Sequence, residues 1–136
     1  MTRLPDWQRR LIDVVEASAD TPFRWGTHDC ILFGGRCVAA VTGEDPVADV
    51  IGTYAAPEEA AALLRERGYT GLEDMLTFHF ERVPPAMARR GDLGIAIPAA
   101  GGGLAVCLGD RFAGPAEPRG LMRLPAASIA SAFRVG

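Results

Sequence analysis

Residues 30–43 constrain the fold more than any other segment, because they read CILFGGRCVAAVTG and are apolar on nearly every face of a helix. A helix without a polar face has to be buried on all sides by other elements. Gly34 and Gly35 lower its stability by roughly 1 kcal/mol each relative to alanine, a cost usually tolerated where another backbone packs very close. Gly43 is expected to end it. The pattern predicts a buried central helix over residues 29–42.

The remaining segments predict what surrounds this helix. Amphipathic helical patterns occupy residues 5–18, the segment from Pro57 to Gly68, and the segment from Leu72 to Phe80. After residues 84–85 the chain changes to short apolar runs separated by Gly and Pro, as in an antiparallel meander: GDLGIAI, GLAVCLG, RFAGP and GLMRLP. The closing PAASIASAFRVG indicates a short helical turn and a last edge strand. Helices followed by a sheet predict an α+β fold.

Size and composition indicate a single domain over residues 1–136. The 136 residues are 49% hydrophobic, enough to bury a core without metals or disulfides. A net charge of -3 provides no basic stripe and argues against nucleic acid as a partner. The spacing of Cys30, Cys37 and Cys107 contains no metal-binding pattern, so we expect no metal or cofactor and a reduced, intracellular state. The sequence shows neither an export signal nor an apolar run that could span a membrane.

Cys30 follows the segment Pro22 to Asp29, PFRWGTHD, at the predicted start of the central helix. A thiol in the first turn of a helix faces unpaired N–H groups and the positive end of the helix dipole, which favour the thiolate. That placement is typical of a nucleophile. Cysteine is also among the most buried residue types, and Cys30 shares one helical face with Phe33, Cys37 and Val41. A purely structural thiol is the alternative.

The same segment resembles the signature of the NlpC family of papain-like cell-wall peptidases, in which an aromatic and Gly-containing turn precedes Asp-Cys. Phe23, Trp25 and Gly26 provide the turn, and Asp29 and Cys30 follow it. The sequence Gly-Asp-Leu at residues 91–93 resembles the Gly-Asp-Leu with which that family begins the first strand of its sheet. The order of the elements, helices followed by a meander, and their spacing agree with those of that family. The resemblance therefore covers most of the chain and implies an NlpC-type, papain-like fold with Cys30 in the position of the nucleophile.

The chain departs from that family at the general base. NlpC peptidases carry a histidine in a His-Val-Gly-Ile-like segment on the next strand, whereas residues 102–109 read GGLAVCLG. A cysteine peptidase needs an imidazole close to the sulfur, to hold the ion pair and to protonate the leaving amine. His28 lies two residues before Cys30 and is the candidate for this role. His79 extends the apolar face of the fourth predicted helix, which favours a structural histidine.

Simpler interpretations suffice for the other polar or reactive residues. Asp29 suits an N-cap of the central helix, Asp92 suits a turn, and Cys107 suits the core. The glycines at residues 101–103 join two strand-like runs and suit a hairpin better than a phosphate cradle. Trp25 and Phe33 are expected to be core anchors, because an aromatic turn before the central helix has to fix the angle at which that helix meets the sheet.

A narrower resemblance concerns five segments, which are similar to a group of small proteins encoded in phage tail modules and prophages: WQRRL, PFRWGTHDC, VTGEDP, RRGDLG and AFRV. It implies a component of the virion tail, at the tip or hub, made in the cytoplasm of the bacterial host. Its partners would be other tail proteins, with peptidoglycan as a further candidate, and its NlpC-like fold would be structural and non-catalytic. The alternative is an active cell-wall peptidase or amidase in which Cys30 attacks peptidoglycan peptides with help from His28. A third hypothesis is an adaptor that binds a partner protein through the former substrate groove.

Overall fold

The computed structural model describes residues 1–136, with four helices preceding a six-stranded sheet. The helices are α1 (Trp7–Ser18), α2 (Cys30–Thr42), α3 (Pro57–Glu66) and α4 (Leu72–His79). The strands are β1 (Glu81–Val83), β2 (Leu93–Ala96), β3 (Leu104–Cys107), β4 (Phe112–Pro115), β5 (Leu121–Leu124) and β6 (Ile129–Arg134). The α+β class predicted from the segregation of helical and strand patterns is confirmed. None of the helices combines the length and apolar character that a membrane span requires.

All strand pairs in the sheet are antiparallel, in the order β1-β6-β2-β3-β4-β5. The runs from β2 to β5 form the expected meander. The prediction that the last strand lies at an edge is wrong, because β6 inserts between β1 and β2 and pairs Phe133 with Arg82 on one side and Leu93 on the other. The edge strands are β1 and β5. The sequence of β1, Glu-Arg-Val, carries too little apolar character to indicate a strand.

Helix α2 packs against the sheet and carries most of the core contacts from the helical half, as predicted. Its N-cap is Asp29, and its C-cap is Gly43 in the left-handed conformation at φ 87°. Nine of its thirteen residues are buried. The main hydrophobic cluster joins side chains of α2 to side chains of the sheet, among them Phe33, Cys37, Val38, Val41, Leu93, Leu104, Val106 and Phe133.

The two glycines inside α2 admit neighbouring side chains, not the neighbouring backbone that their sequence suggested. A Cβ at Gly34 would overlap Leu104 Cδ2, and a Cβ at Gly35 would overlap Val47 Cγ2 and lie 2.6 Å from Asp45 Oδ1. Leucine and valine side chains are thus inserted against the helix where its surface is flat. Because Gly34 and Gly35 have no Cβ, β3 and the loop after α2 can both pack closely against adjacent positions of α2.

The two ends of the chain meet at Asp92, which is fully buried just before β2. Its Oδ1 accepts hydrogen bonds of 3.0 Å from Arg3 Nη2 and 3.0 Å from the Val135 amide, and its Oδ2 accepts one of 2.8 Å from the Arg89 amide. Arg134 Nε lies 3.2 Å from Oδ2. Asp92 therefore stabilises the turn, as predicted, and also ties both termini to the sheet.

Candidate functional site

The turn before α2 is fixed by contact with the backbone of the loop at residues 52–54. Gly26 has a φ of +85°, which favours glycine, and a Cβ there would overlap the carbonyl oxygen of Tyr54. The Gly26 carbonyl accepts a hydrogen bond of 2.7 Å from the Gly52 amide. The position at which α2 begins is therefore determined by a backbone-to-backbone contact that only glycine permits.

Asp29 is fully buried beneath this turn and caps α2. Its Oδ1 accepts a hydrogen bond of 3.0 Å from the Leu32 amide, which confirms the expected N-cap role. Its Oδ2 accepts hydrogen bonds of 2.9 Å from the Gly26 amide and 2.6 Å from the Tyr54 hydroxyl. Burial, and then the hydrogen bond to Asp29, raise the pKa of Tyr54, so its hydroxyl remains a donor. Asp29 thus joins the turn, the helix and the Tyr54 loop.

Cys30 is the first residue of α2, is half-buried, and faces the start of β3. The backbone amide of Leu104 lies close to its sulfur, and a Cβ at Gly103 would lie 3.4 Å from Sγ. Burial raises the pKa of the Cys30 thiol and outweighs the amides of Leu104, Cys30 and Ile31, which favour the thiolate. The neighbouring Asp29 raises the pKa further. The structure therefore favours a protonated thiol, even though it begins a helix.

His28 is adjacent in sequence to this site but is engaged elsewhere. Its Nδ1 lies 2.6 Å from Arg36 Nη2, and its ring packs edge-on against Phe33 at a centroid distance of 6.3 Å. Because a guanidinium can only donate, Nδ1 has to accept, which leaves the proton of the neutral ring on Nε2. Nε2 is buried and has no hydrogen-bond partner. Neither ring nitrogen therefore hydrogen-bonds Cys30, and the nitrogen that could accept a proton is occupied by Arg36.

His79 lies at the end of α4, where its side chain is exposed and not part of the core. Its Nε2 is 3.4 Å from the Tyr69 hydroxyl, and its ring contacts that of Phe78 at 5.1 Å. The neighbouring Met75, Leu76 and Phe80 are buried, so the apolar face of α4 turns away from His79. The histidine belongs to a surface aromatic cluster with Tyr69 and Phe78.

The two aromatic residues expected to anchor the core differ in depth. Phe33 is fully buried in the main cluster, as predicted. Trp25 is only half-buried, and packs on the rim of a second cluster around Leu32 and Tyr54. Its ring also meets that of Phe23 edge-on at 5.2 Å. Trp25 covers the second cluster from outside, because the turn that carries it remains at the surface.

The predicted site residues are therefore not brought together as a catalytic pair. The residues that surround Cys30 and Asp29 include Gly103 and Tyr54, which the sequence did not single out as functional. Tyr54 stands in a loop without periodicity, and Gly103 is one of three consecutive glycines. The thiol has amide donors that could stabilise an anion, but no neighbouring side chain that accepts its proton. No group of three or more His, Cys, Asp and Glu side chains could hold a metal ion.

We expect Cys30 to be alkylated slowly at neutral pH, because its raised pKa leaves little thiolate. The rate constant for iodoacetamide, measured by intact-protein mass spectrometry, should be below that of free cysteine at about pH 7 and should still be rising above pH ~8.5. Cys37 and Cys107 are buried and should remain unlabelled, so Cys30→Ser should abolish labelling of the native protein. Fast labelling that is independent of pH between about 6 and 8 would contradict this assignment.

The stability of the fold should fall on acidification because of His28. Burial, and then the charge of Arg36, lower the pKa of folded His28, while Asp29 opposes them. In the unfolded chain His28 binds a proton near its ordinary pKa of about 6.5. The contribution of neutral His28 to the free energy of unfolding is therefore complete above that pH and is lost as the pH falls below it. Urea unfolding across this range should show a weaker pH dependence for His28→Asn than for the parent. Parallel profiles for His28→Asn and the parent would contradict the prediction.

Comparison with known proteins identifies the family but not an activity. No curated protein and no solved structure matches the chain. Residues 2–135 match a family described as "Domain of unknown function (DUF6950)", which covers the helices, the sheet and the turn that carries Cys30. The protein therefore belongs to the DUF6950 family.

Proposed function

We propose that the protein is a structural component of a phage or prophage tail, at the tip or hub, that retains an NlpC-type papain-like fold without peptidase activity. The observation that carries the non-catalytic part is the position of Gly103, whose missing side chain faces the sulfur of Cys30. The placement in a tail is supported by the resemblance of five sequence segments to proteins of phage tail modules. Synthesis would take place in the cytoplasm of the bacterial host.

Three features support an NlpC-type fold. A cysteine begins a buried helix, that helix packs on an antiparallel sheet, and the sulfur faces the first residues of β3. The Gly-Asp-Leu sequence at residues 91–93 leads into β2, the first strand of the meander. In the family that the sequence resembles, the strand after this one carries the general base. β3 is that strand here, and it meets Cys30 through Gly103 and Leu104.

The chemistry at the sulfur supports the loss of activity. In a cysteine peptidase an imidazole accepts the thiol proton and later protonates the leaving amine. At Cys30 the corresponding surface consists of a glycine and a backbone amide, neither of which accepts a proton. Burial raises the pKa of the thiol, so the group is held in the form that does not attack a carbonyl. Cys30 then contributes volume at the junction of α2 and β3, and the fold would serve to bind other tail proteins.

The proposal is tested on purified particles of a phage or induced prophage that encodes the protein. Quantitative mass spectrometry should find the protein in the particles at a fixed ratio to the other tail proteins. Particles assembled with Cys30→Ser should have the same composition and infectivity, because serine retains most of the volume and none of the thiol chemistry. Absence of the protein from intact particles would overturn the tail assignment, and a loss of infectivity with normal assembly would indicate that the thiol reacts.

A further inference from the structure

A polar cleft of about 480 Å³ lies beside the turn before α2, on a side of that turn not lined by Cys30. The end of α1 forms one wall and α2 contributes Arg36 to the other. The polar side chains that line the cleft are those of Ser18, Thr21, Arg24, Thr27, His28 and Arg36. Three are hydroxyl groups and two are guanidinium groups, so most of the free hydrogen-bond donors in the lining are those of the guanidinium groups, and the lining contains no carboxylate.

Neither arginine in the cleft has a negatively charged partner. Arg36 contacts two uncharged acceptors, the Thr27 carbonyl at 3.3 Å and His28 Nδ1 at 2.6 Å. The side chain of Arg24 is exposed and forms no hydrogen bond or ion pair within the chain. In a protein with a net charge of -3, these two arginines share a cleft whose lining contains no counter-charge.

Carboxylates near the cleft are directed elsewhere. Asp13, which lines an adjoining pocket with Arg36, lies 3.8 Å from Arg9. Asp20 is paired with Arg119 at 3.6 Å. Asp29 is close enough to influence His28, but its oxygens are occupied by the amides of the turn and helix and by Tyr54. No ion pair within the chain therefore neutralises the two arginines of the cleft.

We propose that this cleft binds a small ligand carrying an oxyanion, either a carboxylate or a phosphate monoester, between Arg24 and Arg36. The planar fork of a guanidinium matches both groups with two parallel N–H donors. The bond from Arg36 to His28 holds that guanidinium in the cleft before a ligand arrives. The hydroxyl group of Ser18 provides a further donor on the wall, whereas those of Thr21 and Thr27 donate to backbone carbonyls. The proposal does not depend on the tail assignment or on the state of Cys30.

The test is an NMR titration of the full-length, ¹⁵N-labelled protein at constant ionic strength. The probes are inorganic phosphate, succinate as a carboxylate, and succinamide as an uncharged match for succinate. Phosphate or succinate should cause saturable shifts centred on Arg24, Thr27 and Arg36, and succinamide should cause none. The charged probe that binds more tightly identifies which of the two oxyanions the site prefers.

Substitutions then test whether the charges of Arg24 and Arg36 bind the ligand. Arg24→Gln and Arg36→Gln should each weaken binding roughly tenfold or more, as expected for the loss of a charge-assisted hydrogen bond. Arg65→Gln removes the same charge from an exposed position on α3 and should change the affinity less than about twofold. Shifts that do not saturate, shifts spread over the surface, or equal weakening by Arg65→Gln would overturn the proposal. The shift map of the unsubstituted protein decides the matter even if Arg36→Gln proves unstable.

Discussion

Gly26→Ala is expected to lower the free energy of unfolding by about 2 to 5 kcal/mol, from two penalties that add. The left-handed backbone at φ +85° costs a residue with a Cβ roughly 1–2 kcal/mol. The new Cβ would also overlap the Tyr54 carbonyl, so the turn or the loop has to move. Asp29 bridges the same two segments, and its hydrogen bonds would be strained as well. Urea unfolding followed by circular dichroism measures the change.

Gly68→Ala is the matched control for this substitution, because Gly68 lies outside the contact between the turn and the Tyr54 loop. Gly68 also has a positive φ, +90°, but a Cβ there would meet no atom within 4 Å. It should therefore cost only the conformational part, about 1–2 kcal/mol. The difference between the two variants measures the contact that positions the start of α2. Equal losses of stability would show that the turn does not depend on its contact with the Tyr54 loop.

Asp92→Ala is expected to cost about 3 to 5 kcal/mol, which is a large fraction of the stability of a small domain. The substitution removes a fully buried carboxylate that accepts hydrogen bonds from Arg3 and from the amides of Arg89 and Val135. Those donors would stay behind, partly or fully buried and without their acceptor. The hydrogen bonds that connect the sheet to Arg3 near one terminus and to Val135 near the other should be lost together.

The control for Asp92 is Asp49, which forms an ion pair of 2.7 Å with Arg67 at the surface. Both side chains of that pair are well exposed, so water screens it. Asp49→Ala should leave the free energy of unfolding close to that of the parent, because solvent screens this exposed pair. Thermal and urea unfolding of both variants give the comparison, and hydrogen exchange should show faster exchange of the Val135 amide in Asp92→Ala only. Similar small effects of both substitutions would contradict the role assigned to Asp92.

The helices could be predicted closely because their signals are local. The apolar run and Gly43 define α2 to within one residue at its start, and Pro57 marks the first residue of α3. The order of strands could not be predicted in the same way. β6 lies inside the sheet because it pairs with β1, about fifty residues earlier in the chain, and that pairing depends on contacts that no local pattern contains.

In the candidate site, too, the features set by adjacent residues could be predicted, and those set by residues distant in sequence could not. The cap of Asp29 and the helical position of Cys30 follow from adjacent residues and were predicted. The partners that determine their chemistry come from elsewhere: Tyr54 approaches from the loop after α2, and Gly103 approaches from the hairpin before β3. His28 is near in sequence, yet its hydrogen bond to Arg36, about two helical turns further along the chain, directs its ring toward the cleft beside α1. Sequence distance was therefore a poor guide to which groups surround the sulfur.

Incubation of the purified protein with peptidoglycan fragments, followed by mass spectrometry of the products, tests the central claim most directly. The account predicts no cleavage by the parent protein and none by Cys30→Ser, with both proteins shown to be folded by circular dichroism. The reason is that the sulfur of Cys30 meets Gly103 and an amide where a peptidase needs an imidazole. Turnover by the parent that disappears in Cys30→Ser would contradict the account and would establish the protein as an active peptidase.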